Sequence, residues 1–274
     1  MRIVRLEEAT DPGEFGGKAM HLGAALRAGL PVPEGFAVSV GALGATAARE
    51  PSMLKRILGV VAALAHPVAC RSSAVDEDGA DASFAGQHVT VLNLLTPDAV
   101  IDGLQRVHAS AHADAALAYR KKKGLTMDVR IAAVVQKLVD PICAGVLFTR
   151  NPVTGADERV IEAAWGLGET VVAGLVTPDH YRVSRDGRVL EARPGEKDIA
   201  IRRNPDGETH EVEVDPDLVE ARCLDDAWLA RLNDLATRAE THFGRGLDLE
   251  WARVEDELYL LQSRPISTGS AGRP

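Results

Sequence analysis

Cysteine is scarce in this chain: Cys70, Cys143 and Cys223 are the only three in 274 residues. Their odd number and lack of paired metal-ligand spacing give no thiolate metal framework, and they read as reduced, mostly buried thiols. Long apolar runs are missing too. Val60 to Ala65 and Ile131 to Val135 are far too short to span a bilayer, and the opening Met-Arg-Ile-Val-Arg-Leu-Glu-Glu has no signal-peptide core, so a soluble cytoplasmic protein is expected. An excess of positive charge is also lacking. A net charge of −9 and a pI near 5.4 argue against a general nucleic-acid or anionic-membrane surface. Finally, the common phosphate loops are absent. Pro12 stands where Gly-x-x-x-x-Gly-Lys-[Ser/Thr] needs its first glycine and Ala19 where it needs a hydroxyl, and no Gly-x-Gly-x-x-Gly follows a strand. Any phosphate grip must come from separated residues brought together by folding.

What is present suits such a grip. From Cys70 to Thr90 the chain carries Arg71, a permanent planar cation able to hold phosphoryl oxygens in a fork, with the hydroxyls of Ser72 and Ser73 beside it. Downstream, Ala82-Ser83-Phe84-Ala85-Gly86 offers backbone N–H groups with little side chain in the way. A polar surface loop fits the composition of this stretch equally well. Lys18 follows Gly16-Gly17 and opens an amphipathic run from Ala19 to Ala28, ended by Gly29 and Pro31. It is either an ordinary surface lysine or an ammonium placed near a phosphate at a helix N-terminus.

The remaining pattern predicts a mixed α+β chain, either one large domain or two intimate lobes. Val32 to Val40 reads as extended, Met53 to Ala65 as the one helix of residues 41 to 66, and Val89 to Leu94 as a strand. Thr96-Pro97-Asp98 starts a helix expected to run to about Lys123. Ile131 to Val139 is an apolar β-branched strand, and a strand-rich second half follows: Ala144–Thr149, Arg159–Ala163, His180–Ser184, Arg188–Ala192 and Glu211–Val214. Asp225 to Phe243 is the clearest helix. The last hairpin puts Asp248 and Glu250 on one strand face. If Glu255-Asp256-Glu257 is its connection, Val254 pairs with Leu258 and Glu250 falls opposite Gln262, with Cβ atoms about 5 Å apart and Arg264 on the same face. A hard cation accepts such a carboxylate and amide oxygen, although a polar face open to water fits the spacing as well. The lone His180, at a strand edge, reads as structural.

Four blocks carry a family resemblance: Gly16-Gly17-Lys18 with Gly29-Leu30-Pro31-Val32-Pro33-Glu34-Gly35-Phe36; Arg71-Ser72-Ser73-Ala74 through Ser83-Phe84-Ala85-Gly86-Gln87; Ala144 to Thr149 with Asn151-Pro152-Val153-Thr154-Gly155; and Asp248-Leu249-Glu250-Trp251 with Leu261 to Ile266. Together they resemble the N-terminal ATP-binding domain of the phosphoenolpyruvate synthase, pyruvate phosphate dikinase and rifampicin phosphotransferase family. The resemblance implies an ATP-grasp-like fold, two lobes with the nucleotide in the cleft between them: residues 1–138, residues 139–266, and a flexible tail over 267–274. It implies that Lys18, Arg71 and Arg264 neutralise phosphates, that Ser83, Gly86 and Thr90 cover them, that Gln136 lies on the strand bonding adenine, and that Glu250 and Gln262 hold ATP-associated Mg²⁺. Glu162 and Glu169 rank below that pair as cation ligands. Relatives cleave ATP to AMP and phosphate and pass a phosphoryl group to a histidine on a swivelling domain. None of the eight histidines here lies in the family's Thr-Ser-His context, and no carrier domain follows Ser267. The expected acceptor is therefore outside this chain, a small molecule or a separate phosphohistidine-domain protein; the alternative is a non-catalytic ATP-binding regulatory module. Arg150 stands where relatives have a small residue.

Overall fold

A computed structural model describes residues 1–75, 89–122, 126 and 128–266. The chain forms two compact units, one of residues 1–27, 33–138 and 204–208, the other of residues 28–32, 139–203 and 209–274. No helix among the described residues is long and apolar enough to cross a membrane.

The first unit contains β1 (Ile3–Arg5), α1 (Pro12–Arg27), β2 (Gly35–Val38), α2 (Val40–Ala47), α3 (Pro51–Val61), β3 (Val68–Ala74), β4 (Thr90–Leu94), α4 (Pro97–Ala111), α5 (Asp114–Lys122) and β5 (Ile131–Lys137). Its strands form an antiparallel sheet in the order β1-β2-β5-β3-β4. Alternation along these strands gives the sheet two different faces. Val38, Cys70, Val91, Ile131, Ala133 and Val135 join a buried cluster with residues of α2, α3 and α4. The other face carries Ala69, Arg71 and Ser73, paired with Gln136, Val134 and Ala132 of β5, and is packed by α1.

Local chemistry explains where the sequence reading holds and where it fails. Thr96 caps α4 by accepting from Ala99 N–H at 3.2 Å, as its hydroxyl and the following proline predict. The single helix expected to reach Lys123 is instead two: His112 closes α4 with N–H bonds to Ala109 and Ser110, and Asp114 opens α5. The extended run expected over Val32 to Val40 shortens to Gly35–Val38, because Ser39 accepts from Ala42 N–H at 3.3 Å and caps a helix. That helix, α2, went unrecognised; its Ala- and Gly-rich sequence has little amphipathic contrast.

The second unit contains β6 (Cys143–Phe148), β7 (Glu158–Trp165), α6 (Glu169–Val172), β8 (Asp179–Ser184), β9 (Val189–Arg193), β10 (Ile199–Arg203), β11 (Thr209–Glu213), α7 (Pro216–Val219), α8 (Asp226–Phe243), β12 (Leu247–Val254) and β13 (Glu257–Pro265). Six strands form an antiparallel sheet in the order β13-β12-β6-β7-β8-β9; β10 and β11 form a separate two-stranded ribbon, with Ile201 of β10 also bridged to Gly166. Leu249, Trp251, Leu147, Ile161, Tyr181 and Val183 are buried on the face that α8 covers. Arg159 fastens that helix: 1% exposed, it donates to Glu240 and to the Thr149 carbonyl, both at 2.8 Å. The opposite face is mixed: Asp248, Glu250 and Glu162 share it with Ala144 and Ala252 of a small apolar cluster. All three cysteines are free and buried, and burial raises the pKa of the Cys70 thiol.

Candidate functional site

In the first unit, two separate sequence blocks meet at the start of a helix. Gly16 interrupts α1 with φ 74° and ψ 166°, a left-handed conformation that favours glycine. A Cβ there would lie 2.1 Å from the Ser73 carbonyl oxygen, so only a bare backbone lets α1 approach β3 this closely. Helix resumes at Gly17, and the Ser73 hydroxyl accepts from Ala19 N–H at 3.0 Å. Ser73 thus performs from a neighbouring strand the role of a helix cap. Lys18, half-exposed, sits in this first helical turn, where the helix dipole favours an anion. Arg71, also half-exposed, shares the β3 face of Ser73 and lies opposite Thr90 of β4.

The structure corrects one expectation here: Ser72 does not stand beside Arg71. It pairs with Ala133 on the apolar face, and its hydroxyl is buried with no partner among the described residues. Gln136 is on the Arg71 face and 3% exposed, but its side-chain amide donates to the Pro33 carbonyl at 3.0 Å. Only its backbone therefore remains in keeping with an adenine-side role. Ser83 and Gly86 lie outside the described residues.

In the second unit the closing hairpin builds a second cluster. Its connection is not the expected three residues: Val254 pairs with Glu257, leaving Glu255-Asp256 as a two-residue turn. Trp251 accordingly pairs with Leu260. A bulge at Leu261 then shifts the register, so that Glu250 faces Gln262 and Asp248 faces Arg264. Arg264 donates through Nε and Nη2 to Asp248 Oδ2, both at 2.8 Å. The other oxygen, Asp248 Oδ1, is buried without a partner among the described residues. Burial raises the pKa of Asp248 and nearby Glu250 adds to the rise, while Arg264 opposes it. Sequence reasoning placed Asp248 on this face but gave it no role; its alternation with Glu250 was the available signal.

Glu162 lies on the same sheet face, and Glu169 is on α6. Glu162 pairs across β7–β8 with His180, whose Nδ1 is 3.9 Å from Glu162 Oε1. Val146 separates Glu162 from Glu250 along the ladder, which spaces the two acids by roughly two strand separations, about 10 Å. Glu169 opens α6, and burial raises its pKa. Arg150 is exposed and bonds the Gly155 carbonyl at 2.7 Å, bracing the turn whose Asn151 Oδ1 accepts from Val153 and Thr154 N–H.

A helix start bordered by cations, together with a carboxylate-amide-arginine face on a terminal hairpin, has the character of a nucleotide-binding α+β protein. The chain belongs to the family described as pyruvate phosphate dikinase, AMP/ATP-binding domain, which it matches over residues 50–274, and it is on that ground an ATP-binding chain. It is 37% identical to a probable phosphoenolpyruvate synthase of Methanothermobacter thermautotrophicus, over 94% of this chain and 44% of that protein. It is 36% identical to a rifampicin phosphotransferase of Streptomyces sviceus, over 92% of this chain and 34% of that protein. The chain thus spans less than half the length of these relatives. The first alignment covers 305 positions, more than the 274 of the chain, so that relative carries residues absent here. Among solved structures, the PH1788 protein of Pyrococcus horikoshii is similar in fold, with a TM-score of 0.50 at 13% identity and 94% of each chain covered.

Proposed function

We propose that this chain is an ATP-dependent phosphotransferase unit that binds Mg-ATP and directs a phosphoryl group to an acceptor outside these 274 residues. The observation that carries the proposal is the pairing of Glu250 with Gln262 and of Asp248 with Arg264 on one sheet face. Magnesium keeps several waters and phosphate oxygens in its shell and needs few protein ligands. Glu250 and Gln262 supply a carboxylate and an amide oxygen for it, and Asp248 Oδ1, without a partner among the described residues, is a further oxygen on the same face. Bound there, the ion supplies charge neutralisation to the phosphates.

The remaining roles belong to side chains. Lys18 and Arg71 contact phosphoryl oxygens, with the helix start at Gly17 adding its N–H groups. Arg264 stabilises developing negative charge, and Asp248 fixes the plane of its guanidinium. Thr90, Ser83 and Gly86 cover the phosphates, and the β5 backbone at Gln136 borders adenine. Residues 1–138 and 139–266 serve as the two ATP-grasp lobes; the expected tail, 267–274, lies outside the described residues. The family relationship supports cleavage of ATP to AMP and phosphate. The acceptor is a histidine of a phosphohistidine-domain protein or a small molecule, and the three free, buried cysteines agree with a cytoplasmic setting.

Product analysis tests this reading. Incubation with Mg-ATP and candidate acceptors is expected to yield AMP and orthophosphate. Formation of ADP would replace the family chemistry by direct γ-transfer, and ATP binding without turnover under all acceptors would reduce the chain to a regulatory module.

A further inference from the structure

The last turn of α4 and its C-cap carry two histidines at positions i and i+4, His108 and His112. The rings of His108 and His112 are stacked, with centroids 4.5 Å apart and planes 26° from parallel. The Nδ1 of His112 lies 2.9 Å from the His108 carbonyl oxygen. A carbonyl only accepts, so Nδ1 carries the proton and Nε2 of His112 is left with its lone pair. His112 is exposed and His108 half-exposed. Burial of His108, and then the neighbouring His112, also lower the His108 pKa and favour its neutral ring.

Two imidazoles one helical turn apart form a chelating donor set for ions that accept nitrogen, as in helices where histidines four residues apart hold zinc. Hard Mg²⁺ prefers oxygen. We propose that His108 and His112 form a two-ligand site for a divalent transition ion of the Ni²⁺, Cu²⁺ or Zn²⁺ type, with water completing the coordination. Among the described residues no group of three or more His, Cys, Asp or Glu could hold a metal, which makes this an open, exchangeable site rather than a closed structural one. It lies on the far side of the first sheet from Arg71: Val100, Leu104 and Val107 of α4 are buried in the cluster that includes Cys70 and Ala133. The site is independent of the phosphotransfer reading and stands or falls separately from it.

Nickel ion alone, titrated calorimetrically into the full chain without nucleotide, is the probe. One saturable site is expected. His112→Ala, at an exposed position, should weaken it by roughly tenfold or more, and His108→Ala should do the same. His210→Ala, on the exposed surface of β11, should leave it unchanged, with thermal unfolding of each variant checking the fold. No saturable binding by the parent chain, or wild-type binding by the His112→Ala variant, overturns the proposal.

Discussion

Asp179 and Asp248 are both buried strand residues of the six-stranded sheet, and each accepts from a basic side chain, but they differ in how completely they are satisfied. Asp179 Oδ1 takes Gly195 N–H at 2.8 Å and Lys197 Nζ at 2.5 Å, while Oδ2 takes the Tyr181 hydroxyl at 2.9 Å and Cys223 N–H at 2.7 Å. Asp248 receives Arg264 on one oxygen only and keeps Oδ1 buried and unpartnered among the described residues. A buried carboxylate with every lone pair engaged ties loops together. One with an oxygen to spare carries a desolvation cost that a bound cation can relieve. On this contrast Asp179 is structural, whereas Asp248 suits the binding face proposed above.

Four experiments can break or sharpen the contrast. The largest effect is expected at the satisfied aspartate. Lys197 and Asp179 are both fully buried, so Lys197→Met strands a charge and should cost about 3–5 kcal/mol in chemical denaturation. A loss near zero would make Asp179 no better anchored than Asp248. Next, Arg264→Ala should lower turnover by about 10²–10³-fold while the chain stays folded; unchanged activity removes Arg264 from the site. Glu250→Gln keeps shape but loses charge, and the Mg²⁺ concentration for half-maximal activity should rise roughly tenfold to a hundredfold. An unaltered Mg²⁺ requirement would move the metal elsewhere.

The smallest effect concerns pH. The folded-state pKa of Asp248 is raised, so the folded state holds that proton more tightly than the unfolded chain does. Its contribution to stability is fully present below the ordinary carboxylate pKa and is lost as pH rises through the raised value. Asp248→Asn should therefore unfold at a higher temperature than wild type at neutral pH without metal, and the gap should close in acid. A gap that widens in acid would reverse the assignment.

Part of the closing hairpin was legible because strand alternation is a strict period of two, which puts Asp248 and Glu250 on one face; the pairing of Glu250 with Gln262 was reached through a connection the structure does not have. The turn length was misjudged and the bulge unseen, and the two errors cancelled. A bulge at Leu261 has no composition signal of its own; beside it Trp251 pairs with Leu260, both fully buried. In the first unit, Lys18 and Arg71 stood out by residue type, but their common anchor did not. The bond from Ala19 N–H to Ser73 spans 54 residues, and the orientation of Ser73 rather than Ser72 depends on which strand face α1 covers. Helix α2 was missed because alanine and glycine leave no periodic contrast to read.

The extra residue at Leu261 also acts as a register adjuster between the hairpin tip and the Glu250–Gln262 end. Residues before it follow the count set by the turn, and residues after it follow the count the Glu250–Gln262 pair requires. The tip can therefore tolerate sequence drift without disturbing the opposed pair. Deleting Leu261 would leave Glu250 opposite Gln262 in an unbroken ladder, whereas pairing that kept Leu261 without the bulge would set Gln262 against Leu249, on the side covered by α8.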